Sequence, residues 1–199
     1  MRTFRVPAWE WYGWGSEEIA FPDGWDVSEQ RMRGHDARAL TQREIAERLE
    51  HPIGSGRLRD LAKGRKQCAI LFDDMTRPTK VAQMLPAVLS ELRRGGIKDD
   101  QIVFVMASGA HGGRTLIDFQ KKLGEEVCER HLVFNHNPFE GLVDLGETSR
   151  GTPVHVNREV MGCDLKVAVS GILPHFGYGF GGGSKMLLPG VAGIESISK

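Results

Sequence analysis

Between Cys68 and Val169 the chain alternates short unbroken apolar runs with longer stretches whose apolar residues recur at helical spacing. Cys68-Ala69-Ile70-Leu71-Phe72, Ile102-Val103-Phe104-Val105-Met106 and Leu165-Lys166-Val167-Ala168-Val169 are runs of the kind that strands covered on both faces carry, and Leu132-Val133-Phe134 predicts a further short strand. From Lys80 to Arg94, Val81, Met84, Leu85, Val88, Leu89 and Leu92 fall on one helical face, and Gly95-Gly96 ends the helix. Thr115 caps a second helix reaching Leu123, with Gly124 as its stop. Strand, helix and strand in that order predict a parallel pair joined by a right-handed crossover. Val154-His155-Val156 reads as an edge or hairpin strand behind the turn Ser149 to Pro153.

Upstream the pattern differs. Phe4-Arg5-Val6 and Ile19-Ala20-Phe21 are strand-like runs flanking Trp9, Trp11, Tyr12 and Trp14, with Gly13 and Gly15 marking the turn. The aromatics either anchor packing or form an exposed platform. Thr41 and Glu44 have capping-box spacing, Ile45 and Leu49 continue the helical pattern, and His51-Pro52 ends it. Leu58 to Gly64 predicts a second short helix. The expected fold is α/β: a mostly parallel, Rossmann-like sheet flanked by helices over 41–199, preceded by a small β-rich appendage over 1–40.

Composition narrows the function classes. The chain has 199 residues, 40% hydrophobic and 26% charged, with zero formal net charge. Neither nucleic acid nor a membrane surface is an expected partner of so neutral a chain. No apolar run is long enough to span a bilayer, and the first residues lack a signal-like segment. Three cysteines, Cys68, Cys128 and Cys163, have no ligand-like spacing, which predicts reduced thiols and a cytoplasmic protein.

Ligands of open parallel sheets bind beyond the carboxyl ends of the strands. Three motifs stand there. Asp73-Asp74-Met75-Thr76-Arg77-Pro78 follows the first apolar run, Ala107-Ser108-Gly109-Ala110-His111-Gly112-Gly113 the second, and Pro174-His175 the last. Asp74 to Arg77 either caps a helix or places Arg77 to grip a carboxylate or phosphate. His111, among glycines, is presented to a cavity rather than packed, and His175 is similar. His35, His51, His131, His136 and His155 lack such settings and are expected on the surface or in packing, with the polar loop Asn135 to Pro138 the one to watch. After His175 come Gly177, Gly179, Gly181, Gly182 and Gly183, then Ser184 and Lys185. That density suits close approach of backbone to an anionic ligand. It is not a P-loop, because Met186 stands where the magnesium-binding hydroxyl belongs.

Taken together, Asp73 to Pro78, Ala107 to His111 and Pro174 to Gly193 resemble the N-terminal domain of the nickel-dependent lactate racemase family, and Gly151-Thr152-Pro153-Val154 with Asn157-Arg158 fits as well. The resemblance implies a nickel pincer nucleotide, a modified pyridinium mononucleotide, bonded covalently to Lys185. It implies His111 and His175 as paired acid/base groups, and Arg77 as the anchor of a 2-hydroxy acid carboxylate with Asp74 orienting its neighbours. Thr76, Gly181, Gly182, Gly183 and Ser184 would approach the cofactor and its phosphate. Cofactor-biosynthesis proteins are the implied partners. Close lactate racemases carry more side chain where this chain reads Gly181-Gly182-Gly183-Ser184, so a substrate other than lactate is within the expectation. In the family a nickel-ligating histidine and a C-terminal domain follow; this chain stops at Lys199, so the expectation is a domain incomplete at its C-terminal end, with no metal ligand of its own and weak or no turnover alone. The competing expectation is a non-catalytic nucleotide- or phosphate-binding module in which Lys185 is only a charge.

Overall fold

The computed structural model describes every residue except Trp9 and Trp14, so the reading of the aromatic cluster lies partly outside the described residues. The chain divides into two compact units, Met1–Thr41 and Gln42–Lys199. In the first, β1 (Arg2–Pro7) and β2 (Ser16–Phe21) form an antiparallel hairpin. Phe4 meets Phe21 edge-on at 5.7 Å, and Phe21 leans against Trp25 at 6.0 Å, so cross-strand aromatics hold a ribbon with little else to bury.

The second unit opens with α1 (Gln42–Glu50) and α2 (Leu58–Ala62), which pack on a later helix. Then come β3 (Cys68–Phe72), α3 (Val81–Arg94), β4 (Ile102–Met106), α4 (Leu116–Leu123), α5 (Glu125–Arg130) and β5 (Leu132–Asn135). A hairpin of β6 (Leu142–Glu147) and β7 (Pro153–Asn157) follows, then α6 (Arg158–Gly162) and β8 (Leu165–Val169). β9 (Pro174–His175) and β10 (Gly179–Phe180) form a second small hairpin, and α7 (Ile194–Ile197) comes last.

The central sheet has the order β5-β4-β3-β8, with every pair parallel, which is the expected α/β architecture. From β3 the chain steps through β4 to β5 on one side, then returns so that β8 lies on the other side. The reversal falls between β3 and β8, the point at which open sheets leave a crevice beyond their carboxyl ends.

Strand alternation sorts the core into two layers. Cys68, Ile70 and Phe72 face α3 and α4, packing with Leu85, Leu92, Phe104 and Phe119. Ala69 and Leu71 face the opposite side, where Val105, Val160, Cys163, Met186 and Val191 cover them. The second layer therefore draws on the glycine-rich segment itself. The thiols of Cys68 and Cys163 are free and buried, and burial pushes Cys68 up to about 12. Among the described residues no helix is long and apolar enough to cross a membrane.

Two expectations need correction. Leu165–Val169 is an edge strand, since it pairs only with β3 and leaves Lys166 and Ala168 exposed. Its apolar content reflects one covered face, not two. Val154–Val156 does lie in a hairpin, but its partner β6 was not anticipated, because Leu142-Val143-Asp144-Leu145 alternates only briefly before a register shift between Asp144 and Glu147.

Candidate active site

Three loops meet beyond the sheet's carboxyl edge and enclose a cavity of about 500 Å³. Of the residues singled out from sequence, Asp74, Arg77, His111, His175, Gly181, Gly182 and Lys185 line it; Thr76, Gly183 and Ser184 do not. Asp73, Ser108, Tyr178, Ser196 and Ile197 line it as well. A volume of this size matches ordinary small-molecule sites.

The loop after β3 is fixed from beneath. Asp73, buried, pairs with Lys122 Nζ at 2.7 Å, and its other oxygen accepts from Thr79 Oγ1 at 2.6 Å and from Gly171 N at 3.2 Å. Asp73 thereby ties the end of β3 to the end of β8. Lys122 Nζ also donates to the carbonyls of Asp74 and Arg77, at 3.1 and 2.9 Å. Burial lowers the Lys122 pKa, with the Asp73 charge opposing that effect. Lys122 was not recognised from sequence; its only signal was a lysine at the apolar spacing of α4, one turn after Asp118.

Asp74 carries that order to the cavity surface. Its Oδ1 accepts from Thr76 N at 3.0 Å and from Thr76 Oγ1 at 2.5 Å, and its Oδ2 lies 2.5 Å from His111 Nδ1. Burial works against the Asp74 charge, but the hydrogen bonds from Thr76 and His111 outweigh it and hold the carboxyl below its ordinary range. An ionised carboxylate only accepts, so His111 Nδ1 carries a proton and Nε2 of the neutral ring keeps its lone pair. Arg77 Nη1 donates to Thr76 Oγ1 at 3.0 Å, which fixes the half-buried guanidinium at the rim. The helix-capping alternative for Asp74 to Arg77 does not hold: α3 begins at Val81, preceded by Lys80, with no side-chain cap.

His111 reaches the site through a tight turn in which His111 N donates to the Ser108 carbonyl at 3.0 Å. Asn135 pins the far end of this loop by bonding Arg114 N and Arg114 O at 2.7 and 2.9 Å. Thr115 then caps α4, accepting from Asp118 N as predicted.

The third loop is more open. His175 Nδ1 accepts from Gly177 N at 3.2 Å, so the neutral ring holds its proton on Nε2. Its ring stacks on Phe176 at 4.9 Å and leans on Tyr178 at 5.3 Å. Lys185 Nζ donates to the Tyr178 carbonyl at 2.8 Å and sits 5.1 Å from the centre of the Tyr178 ring. Lys185 lies in a 3-10 turn, Gly183–Met186, rather than at the start of an α-helix, which removes the P-loop geometry. Met186, buried in the second core layer, anchors that turn while its neighbour Lys185 faces the cavity.

The glycines serve two purposes. Gly182 has φ +77°, and a Cβ there would lie 2.1 Å from the Gly171 carbonyl oxygen; at Gly190 it would lie 2.4 Å from the Met186 carbonyl oxygen. Those two are required by the chain's own backbone. A Cβ at Gly177 would meet nothing within 4 Å.

Three of the other histidines bond elsewhere in the chain. His136 is buried, with Nε2 2.9 Å from the Ala192 carbonyl and Nδ1 3.2 Å from Asn157 Nδ2, so the watched loop is a clasp on the C-terminal segment. Burial lowers its pKa, as it does that of His131 beside the Asp99 carbonyl. His155 faces Asp144 and Glu195 at 3.7 and 3.4 Å, away from the cavity.

The strand-end loops of a parallel α/β domain here bring two imidazoles, a lysine and an arginine to one cavity. The match to known proteins agrees: the model of the Lactate racemase N-terminal domain covers residues 12–199, and the chain belongs to that family. It is 34% identical to a lactate racemase of Thermoanaerobacterium thermosaccharolyticum over 92% of this chain and 44% of that protein. It is 31% identical to a lactate racemase of Lactiplantibacillus plantarum over 79% of this chain and 38% of that one. The structure of the lactate racemase apoprotein from T. thermosaccharolyticum superimposes with a TM-score of 0.77 at 31% identity, covering 98% of this chain and 45% of the other. The chain thus spans less than half the length of the relatives it matches.

Proposed function

We propose that this chain is the cofactor-holding, acid/base half of a racemase or epimerase of small 2-hydroxy acids. The observation that carries the reading is the opposite hydrogen bonding of the two imidazoles across one cavity. His111 donates from Nδ1 to Asp74 and offers Nε2 as a base; His175 accepts at Nδ1 from Gly177 and offers Nε2–H as a donor. Inverting a carbinol carbon needs a base for one enantiomer and a proton donor for the other, and imidazoles serve both near neutral pH.

The residues fit a nickel pincer nucleotide. The cavity has the volume for a mononucleotide, the Lys185 amine faces it, and the buried Ser108 hydroxyl lines it without a partner among the described residues. When bound, that group would supply the carbon that takes and returns hydride. Lys185 would hold it covalently, and the amides of the glycine turn would face its anionic end. Arg77 would bind the substrate carboxylate. His111 Nε2 would take the hydroxyl proton of one enantiomer, and His175, once protonated on both ring nitrogens and so without its bond from Gly177, would return the Nε2 proton to the other and be left neutral. In the reverse direction that neutral His175, its proton on Nδ1, would take the hydroxyl proton at Nε2, and His111 would return one from its own Nε2.

Among the described residues no group of three or more His, Cys, Asp or Glu side chains is arranged to hold a metal ion. Turnover by the 199-residue chain alone is expected to be weak or nil, and cofactor-biosynthesis proteins are the expected partners. Co-expression with such proteins, followed by intact-mass measurement, tests the reading. A covalent adduct that disappears in Lys185→Ala supports it. An unmodified mass in the wild-type chain leaves the simpler anion-binding module, with Lys185 as a charge only.

A further inference from the structure

The charged groups facing the cavity are already engaged within the protein. Asp74 is bonded to Thr76 and His111, Asp73 to Lys122, Thr79 and Gly171, Arg77 to Thr76, and Lys185 to the Tyr178 carbonyl. Ser108 differs. Its backbone is satisfied, N donating to the Met106 carbonyl and O accepting from His111 N, both at 3.0 Å. Its residue is only 5% exposed, yet among the described residues Oγ has no hydrogen-bond partner. A buried hydroxyl without a partner lowers stability, and such groups in folded proteins point to a ligand or an ordered water.

The Thr76 hydroxyl is engaged within its own loop. Its hydroxyl proton goes to Asp74, its oxygen accepts from Arg77, and it lies outside the cavity lining. Ser108 instead lines the cavity three residues before His111 and shares it with Arg77 and Lys185. A hydroxyl that shares a cavity with two cations is suited to a negatively charged oxygen, and hydrogen bonds to charged oxygens are the stronger kind.

We infer that Ser108 is a ligand-binding residue whose hydroxyl donates to an anionic oxygen, of a phosphate or a carboxylate, held in the cavity with Arg77 and Lys185. The inference rests on the cavity being the binding site of the proposed function. Two sources share this chemistry: the phosphate of a pyridinium mononucleotide and the carboxylate of a 2-hydroxy acid.

Titration calorimetry of the 199-residue chain and of Ser108→Ala with inorganic phosphate, nicotinate mononucleotide and lactate separates the sources, alongside thermal unfolding of both proteins without ligand. The expected result is about tenfold weaker binding in Ser108→Ala, the size of one hydrogen bond to a charged oxygen, with an unfolding midpoint unchanged or higher. Weakening for phosphate and the mononucleotide assigns the contact to phosphate; weakening for lactate alone assigns it to the substrate carboxylate. Equal affinities for all three anions, or no measurable binding of any by the wild-type chain, overturn the inference. So does a lower midpoint with unchanged affinities, which marks the hydroxyl as structural. A Lys185 adduct that still forms in Ser108→Ala while all affinities match the wild type removes this inference and leaves the racemase reading standing.

Discussion

The two histidine loops face one cavity but are held very differently. His111 bonds to a buried carboxylate whose loop is gripped from below by Lys122, and Asn135 ties down its own loop. His175 sits on a two-residue ladder whose neighbours Phe176, Tyr178 and Phe180 are exposed, Phe176 completely. Its restraints are one backbone amide and the faces of two exposed rings. One imidazole is therefore fixed in tautomer and position by buried charge. The other can change tautomer at the loss of a single hydrogen bond, worth about 1 kcal/mol. The racemase or epimerase role proposed above, which runs in both directions, requires at least one such adjustable group.

The largest effect on this contrast is expected at Lys122. Lys122→Met leaves Asp73 buried without its cation, which costs about 3–5 kcal/mol, read as a fall in urea-unfolding free energy. His111 should lose its order along with the loop. Gly182→Ala follows, at roughly 2–3 kcal/mol, because a Cβ at positive φ would also collide with the Gly171 carbonyl. Its counterpart Gly177→Ala, in open space on the His175 side, should stay within about 0.5 kcal/mol of wild type. Equal effects at the two glycines would erase the distinction between a backbone-packed turn and an open loop.

A smaller effect, with a sign set by pH, is expected at Asp74. Its folded-state pKa is lowered, so its contribution is fully present above the ordinary carboxyl pKa of about 4 and is lost as pH falls below that toward the folded value. Asp74→Asn should lose about 1–2 kcal/mol at pH 7 and should lack this part of the acid dependence. Unfolding curves at pH 7 and pH 3 for both proteins check it; a variant as acid-sensitive as wild type would place the dependence elsewhere.

Much of this architecture was legible because burial writes directly into apolar pattern. β3 and β4, covered on both faces, are unbroken apolar runs, and α3 and α4 carry helical spacing with glycine stops. The short elements α5, α6 and β6 escaped notice because each buries too little to leave a period. At the site, residue type and position at strand ends picked out Asp74, Arg77, His111, His175 and Lys185, and all five line the cavity. What could not be read was who bonds to whom. Thr76 bonds both Asp74 and Arg77, while Lys122, distant in sequence, holds the loop that carries them. Glycine carries a second constraint that the sequence does not show, since at Gly182 an added Cβ would meet the chain's own Gly171 carbonyl.

The account's central claim is the opposed hydrogen bonding of the two imidazoles, and long-range ¹⁵N–¹H correlation spectra of the histidine rings test it directly. At a pH where both rings are neutral, His111 should show its proton on Nδ1 and His175 its proton on Nε2, with Asp74→Asn shifting the first and leaving the second in place. A His111 ring protonated on Nε2, or the same tautomer at both positions, would contradict the claim.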